Sequence, residues 1–150
     1  MMTALTLAEA DQIADSALDH GRAQGFAPLT VAVLDVGGHP VVIKRADGSG
    51  ILRAEIAVAK AWGVLGMGFG ARELQRRAEQ MPGFFAALAA LADGKMVPVP
   101  GGVLVRRDED TIVGSVGITG DTSVNDEVCA VRGIEAAGLL PDTGATDEDA

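Results

Sequence analysis

Residues 51–69 constrain this chain more than any other stretch. They read as a helix that is apolar on nearly every side, and from Ile56 to Ala71 the only charged residue is Lys60. Ile51, Ala54, Val58, Ala61, Trp62, Leu65 and Phe69 recur at helical spacing and form one stripe. A helix apolar all round is covered on more than one side, by its own fold or by another subunit. The lone ammonium has three outlets: it snorkels to water, pairs with an acid, or points into a polar pocket.

The flanking sequence supplies two hairpins for that helix to pack on. Thr6 caps a first helix whose apolar residues are Leu7, Ala10, Ile13, Ala14, Ala17 and Leu18, and Gly25 stops it. Residues 29–34 read as a buried strand, 35–40 as a turn and 41–44 as the returning strand. Beyond the central helix, residues 71–79 form a polar helix. Pro82 then opens a shorter one carrying Phe84, Phe85, Leu88 and Leu91, which Gly94 ends. The prolines at 98 and 100 exclude a regular central strand there. Residues 103–106 and 111–118 pair as the second hairpin. The last helix runs through Val124, Val128, Val131 and Ile134, with Asp126 and Glu127 in its first turn, where the helix dipole favours acids. This order predicts an α+β fold, a central antiparallel sheet with helices packed on it, as a single domain over residues 1–140. Residues 141–150 hold four acids and no base, and are expected to form an acidic flexible tail.

Composition narrows the function. A chain of 150 residues has room for one domain. A formal charge of -9 argues against duplex nucleic acid and anionic membranes as partners. Cys129 is the only cysteine, which excludes an intrachain disulfide and a cysteine-rich zinc site. No run of about 18 apolar residues exists to span a bilayer. The first ten residues carry Glu9 and no base, unlike an export signal, so a cytoplasmic protein is expected.

Several residues are candidates for chemistry. Gly63, Gly66, Gly68 and Gly70 form a ladder, but no strand immediately precedes it, so close helix packing explains it better than a phosphate loop. Lys60 shares a helix face with Arg53, and two cations there suit a carboxylate or propionate. The competing reading is a structural salt bridge from Lys60 to an acid such as Asp47. Arg45 and Asp47 end the first hairpin, and Pro100, Gly101 and Gly102 open the second with little side chain in the way. These segments are expected to converge at one sheet end as a ligand pocket, with Met67 and Phe69 as its apolar wall. His20 and His39 are the available imidazoles, each either a surface histidine or an axial ligand of haem iron. Ser115, Ser123 and Cys129 have no histidine and acid nearby in sequence, so nothing signals nucleophilic catalysis.

Taken together, residues 45–48 (Arg-Ala-Asp-Gly), 59–61 (Ala-Lys-Ala), 100–102 (Pro-Gly-Gly) and 113–120 (Val-Gly-Ser-Val-Gly-Ile-Thr-Gly), followed by Asp126, resemble the GlcG/HbpS family of haem-binding and haem-degrading proteins. That family includes the C-terminal domain of some cobalamin adenosyltransferases. The resemblance runs from about Leu7 to Leu139. It implies an α+β fold around an antiparallel sheet, homo-oligomers, and haem or corrinoid as ligand in some members. Three function classes follow: a tetrapyrrole-binding module, accessory to small-molecule catabolism; a lyase or isomerase acting on a carboxylate-bearing substrate, with Lys60 and Asp47 as acid/base groups; and an assembly protein without ligand.

Overall fold

The structure, a computed structural model, describes residues 4–149. In chain order its elements are α1 (Leu7–Gln24), β1 (Thr30–Asp35), β2 (Pro40–Arg45), α2 (Arg53–Met67), α3 (Ala71–Gln80), α4 (Pro82–Leu91), β3 (Gly102–Asp108), β4 (Thr111–Thr119), α5 (Ser123–Ala136) and β5 (Leu140–Asp142), followed by a 3-10 turn at Asp147–Asp149. The strands form one antiparallel sheet in the order β2-β1-β4-β3-β5. The two expected hairpins are therefore joined through β1 and β4, and the α+β class holds. No helix among the described residues is long and apolar enough to cross a membrane.

Local chemistry sets the helix ends. The Thr6 hydroxyl accepts from the Glu9 N–H at 3.1 Å, and the Glu9 carboxylate accepts from the Thr6 N–H at 3.0 Å. This capping box satisfies donors that the helix leaves free. Gly25 closes α1 at φ 73°, a conformation that costs other residues a Cβ clash.

The sheet is covered on both faces. Val31, Val33, Val103, Val105, Val116 and Ile118 pack with Ile13, Ala17, Ala130 and Ile134 of α1 and α5. The opposite face carries a row of minimal side chains: Ala32 pairs with Gly117, and Gly117 with Gly102. There α2 lies directly on sheet backbone. A Cβ at Gly117 would run into the Ala57 carbonyl, and one at Gly102 would come within 2.7 Å of the Lys60 carbonyl. The buried Ser115 hydroxyl donates to the Ala61 carbonyl at 2.7 Å. The buried face of α2 is consequently Ala57, Lys60, Ala61 and Val64. The stripe of larger apolar residues expected to be buried turns away from the sheet, and Ile51 is 93% exposed. Small residues win the sheet because they permit the closest approach. The glycine ladder is also packing: Gly63 abuts Met96, Gly68 is the left-handed cap of α2, and Gly70 abuts Thr143.

The expected tail is a correction. Leu140, Pro141 and Asp142 pair with Arg106, Val105 and Leu104 as a fifth strand. The chain then runs along α3, where Arg72 N–H donates to the Thr143 carbonyl at 3.0 Å. Arg76 donates to the Gly144 carbonyl at 2.6 Å and to Asp149 at 2.8 Å. An open β3 edge and two arginines supply partners that an isolated acidic tail lacks.

Candidate functional site

Register brings Thr30 opposite both Arg45 and Thr119 at one end of the sheet. The Thr30 hydroxyl shares a buried 2.7 Å hydrogen bond with the Ser49 hydroxyl, and Arg45 donates to the Ser49 carbonyl at 2.8 Å. Arg53 donates to the Thr119 hydroxyl at 2.8 Å. Lys60 donates to the carbonyls of Ile118 at 2.9 Å and Pro100 at 3.2 Å, and to Asp126 at 3.3 Å. The structure thus brings Arg45, Arg53, Lys60 and Pro100 to the same sheet end.

Lys60 nevertheless does not stand at a pocket mouth. It is 4% exposed, and three acceptors match its three N–H donors. Gly101, at φ 118°, leaves the room for it: a Cβ there would come within 2.8 Å of Nζ. Gly102 lies under the helix backbone in the same way. Its acid is Asp126 rather than Asp47. The Asp126 carboxylate is buried and also accepts from the Asp121 N–H at 3.0 Å. Burial pushes the Lys60 ammonium below the ordinary lysine range and lifts the Asp126 carboxyl above its own, each partner's charge opposing the shift. This knot ties α2, β4, the 98–102 segment and α5 together.

The open space lies beside the knot. A cleft of about 390 Å³ separates the C-terminal end of α1 from the end of β2. Leu18, Phe26, Pro28 and Leu29 wall it, and Arg22, Arg45 and Asp47 are its charged residues. Arg22 pairs with Asp19 at the surface. His20 is half-buried at this end of the molecule, its ring edge-on to Phe26 with centroids 6.5 Å apart. His39 is in the β1–β2 turn at the other end, 80% exposed, with Nδ1 3.3 Å from Asp35. No group of three or more His, Cys, Asp or Glu among the described residues is placed to hold a metal ion. Met67 and Phe69 do not wall the cleft. Met67 lines a separate hollow with Trp62, Leu88 and Met96, and Phe69 lies under Arg77 at 4.2 Å.

Two features escaped sequence reasoning. Arg72 of α3 grips Glu127 of α5, its Nε donating to the two carboxylate oxygens at 2.8 and 3.1 Å and its Nη2 donating at 2.9 Å. Phe26 and Pro28 complete the cleft although they stand in a loop with no periodic signal. Cys129 is buried, and burial pushes its thiol up to about 11, so it is not a reactive group at neutral pH.

Residues 5–135 match the family described as haem degrading protein HbpS-like. The chain belongs to that family. No curated protein sequence matches it. Among solved structures it is similar to one titled as a PduOC:heme complex, at 27% identity and TM-score 0.80, covering 91% of this chain and 97% of that one. It is also similar to HbpS, at 27% identity and TM-score 0.76 over 90% and 91% of the two chains. Protein ORFY of Klebsiella pneumoniae shares the fold at TM-score 0.81 and 23% identity, over 92% and 93%.

Proposed function

We propose that this protein binds haem, as a cytoplasmic, self-associating member of the HbpS-like family that is accessory to small-molecule catabolism. The observation that carries the reading is the cleft at the α1–β2 end, which sets apolar walls beside two guanidinium groups. A flat macrocycle with carboxylate arms needs that combination. Leu18, Phe26, Pro28 and Leu29 would cover the ring, while Arg22 and Arg45 would pair with its propionates. Of the two histidines, His20 is at this end of the fold, and it is the residue we assign to iron. Haem supplies an iron centre open to redox chemistry; the chain's own part is to bind the ring and orient it. The family match over most of the chain and the similarity to a haem complex support the reading.

The same walls and cations suit a corrinoid with amide or carboxylate arms, which is the second ligand to try. Nothing in the geometry favours a lyase or isomerase using Lys60 and Asp47 together. Lys60 directs its donors to Pro100, Ile118 and Asp126, whereas Asp47 is exposed in the cleft. Titration of the purified chain with haemin, followed by the Soret band, tests the proposal. We expect saturable binding, weakened at least tenfold by Arg22→Glu with Arg45→Glu and altered in spectrum by His20→Ala. Absence of saturable binding in the wild type, with hydroxocobalamin equally inert, would overturn it.

A further inference from the structure

The outer face of α2 is only partly covered by the fold, Leu65 packing on a second core cluster and Trp62 sharing a hollow with Leu88 and Leu91 of α4. Ile51 and Leu52, in the turn before α2, are 93% and 63% exposed. Ala54, Val58, Trp62 and Leu65 are half-exposed along the same face, and Gly66 is exposed. Beside them a cleft of about 360 Å³ is lined by Ala54, Glu55, Val58, Ile43 of β2, and Asp93 and Lys95 of the loop after α4. Leu91, 84% exposed, extends the apolar area along α4. Neither Glu55 nor Lys95 has an ion-pair partner among the described residues. The Lys95 ammonium instead stands 5.0 Å above the Trp62 ring, which fixes it at the level of residue 62 on the helix.

We propose that this face binds the same face of a second copy, with the two α2 helices antiparallel about a two-fold axis at the level of Val58 and Ala59. This deepens the self-association in the functional reading by naming its surface. The sequence along the helix is self-complementary about that axis. Counting outward from it, the two half-buried Val58 side chains meet at the axis, where Ala59 is already covered by its own chain, and Glu55 meets the partner's Trp62 with the partner's Lys95 above it. Leu52 meets the partner's Leu65, and the protruding Ile51 meets the partner's Gly66. Each contact occurs twice, as an isologous interface requires. A Cβ at Gly66 would meet only the Trp62 ring, so the space opposite Ile51 is free. The two Glu55 carboxylates stand seven residues apart along the helix direction, about 10 Å at 1.5 Å per residue, so like charges do not oppose each other. Parallel helices would instead set Glu55 against Glu55 and Lys95 against Lys95.

Charge reversal separates this arrangement from others. Light scattering at micromolar concentration is measured on the wild type, Glu55→Lys, Lys95→Glu and the double variant, with thermal melts to verify folding. We expect an assembled wild type, at least tenfold weaker association for each single reversal, and recovery in the double variant. A second probe, Ile51→Asp, is expected to weaken association without altering haemin titration. A monomeric wild type would overturn both the self-association and its surface. An assembly that persists through all four variants would overturn only the α2 face.

Discussion

The Lys60 ammonium lies on the sheet-facing side of α2, 4% exposed. A lone cation in an apolar helix was open to three fates, and the structure selects pairing, with an acid 66 residues away on another layer. No local spacing announces Asp126 as that partner, because the pairing depends on α5 crossing the sheet end. Asp126 and Glu127 read from sequence as acids suited to a helix N-terminus, yet both are buried and each holds a cation from a different helix. Removing one member of a buried pair leaves the other charge without a counterpart. Lys60→Met is therefore expected to cost about 3–5 kcal/mol of stability in urea unfolding at pH 7, with haemin affinity unchanged. Combining it with Asp126→Leu is expected to restore most of that loss; a double variant as unstable as the single one would contradict the account. Glu9 makes a different claim. Hydrogen bonds from Arg107 hold its carboxyl down at about 2, against an ordinary value of 4.5. Because the folded value is the lower one, the stabilisation is present above about pH 4.5 and is lost as pH falls toward 2. After allowance for solvent screening it is on the order of 1–2 kcal/mol. Glu9→Gln is expected to flatten the stability profile across that window and lower stability above it. An unchanged slope in acid titration of the variant would refute the assignment.

At the level of elements, α1 and both hairpins were legible because each depends on neighbours in sequence. Thr6, Gly25 and the unbroken apolar run of β1 act within a few residues. What was not legible was which side of α2 meets the sheet. Hydrophobicity pointed to Ile51, Val58 and Trp62, whereas the observed contact is set by the absence of side chains on the sheet. Gly102 and Gly117 stand opposite each other only after β3 and β4 are in register, and that row seats Ala57 and Ala61 against Gly117 and Val64 against Gly102. Arg45 and Asp47, a charged strand end visible in sequence, both line the cleft between α1 and β2. Leu18 belongs to the apolar face of α1 in sequence and Phe26 carries no periodic signal, because the cleft forms only where α1 passes β2. Gly117→Ala tests the packing argument. The added methyl cannot coexist with the Ala57 carbonyl, so α2 has to lift and the Lys60 knot has to stretch. We expect a loss of at least about 2–3 kcal/mol in thermal or urea unfolding, beyond the usual cost of overpacking by a single methyl. A variant as stable as the wild type would show that α2 is not seated on the sheet backbone.

For the molecule as a whole, the question is where cooperativity ends along the chain. A solvated acidic tail would contribute nothing, and its deletion would leave the melting temperature within a degree or two. The structure instead gives residues 140–149 three distinct attachments. Leu140 to Asp142 close the edge of β3, with Asp142 paired to Arg106 at 2.9 Å. Thr143 and Gly144 pass so close to the start of α3 that Gly70 has no room for a side chain. Asp149 pairs with Arg76 at 2.8 Å and stands 3.8 Å from Arg72, the arginine that also grips Glu127 of α5. Deleting the segment would expose a strand edge and loosen the link between α3 and α5 together. Its outermost ion pairs are partly exposed and individually weak, so most of the effect should come from the strand and from Thr143. Truncation after Leu139 is accordingly expected to cost roughly 2 kcal/mol, which for a domain of this size lowers the melting temperature by about 4–8 °C. Truncation after Thr146, which removes only Asp149 and its neighbours, is expected to cost less than about 1 kcal/mol. Equal melting temperatures for the wild type and the longer truncation would return the segment to the status of a free tail; equal losses for the two truncations would move the attachment from β5 to Asp149.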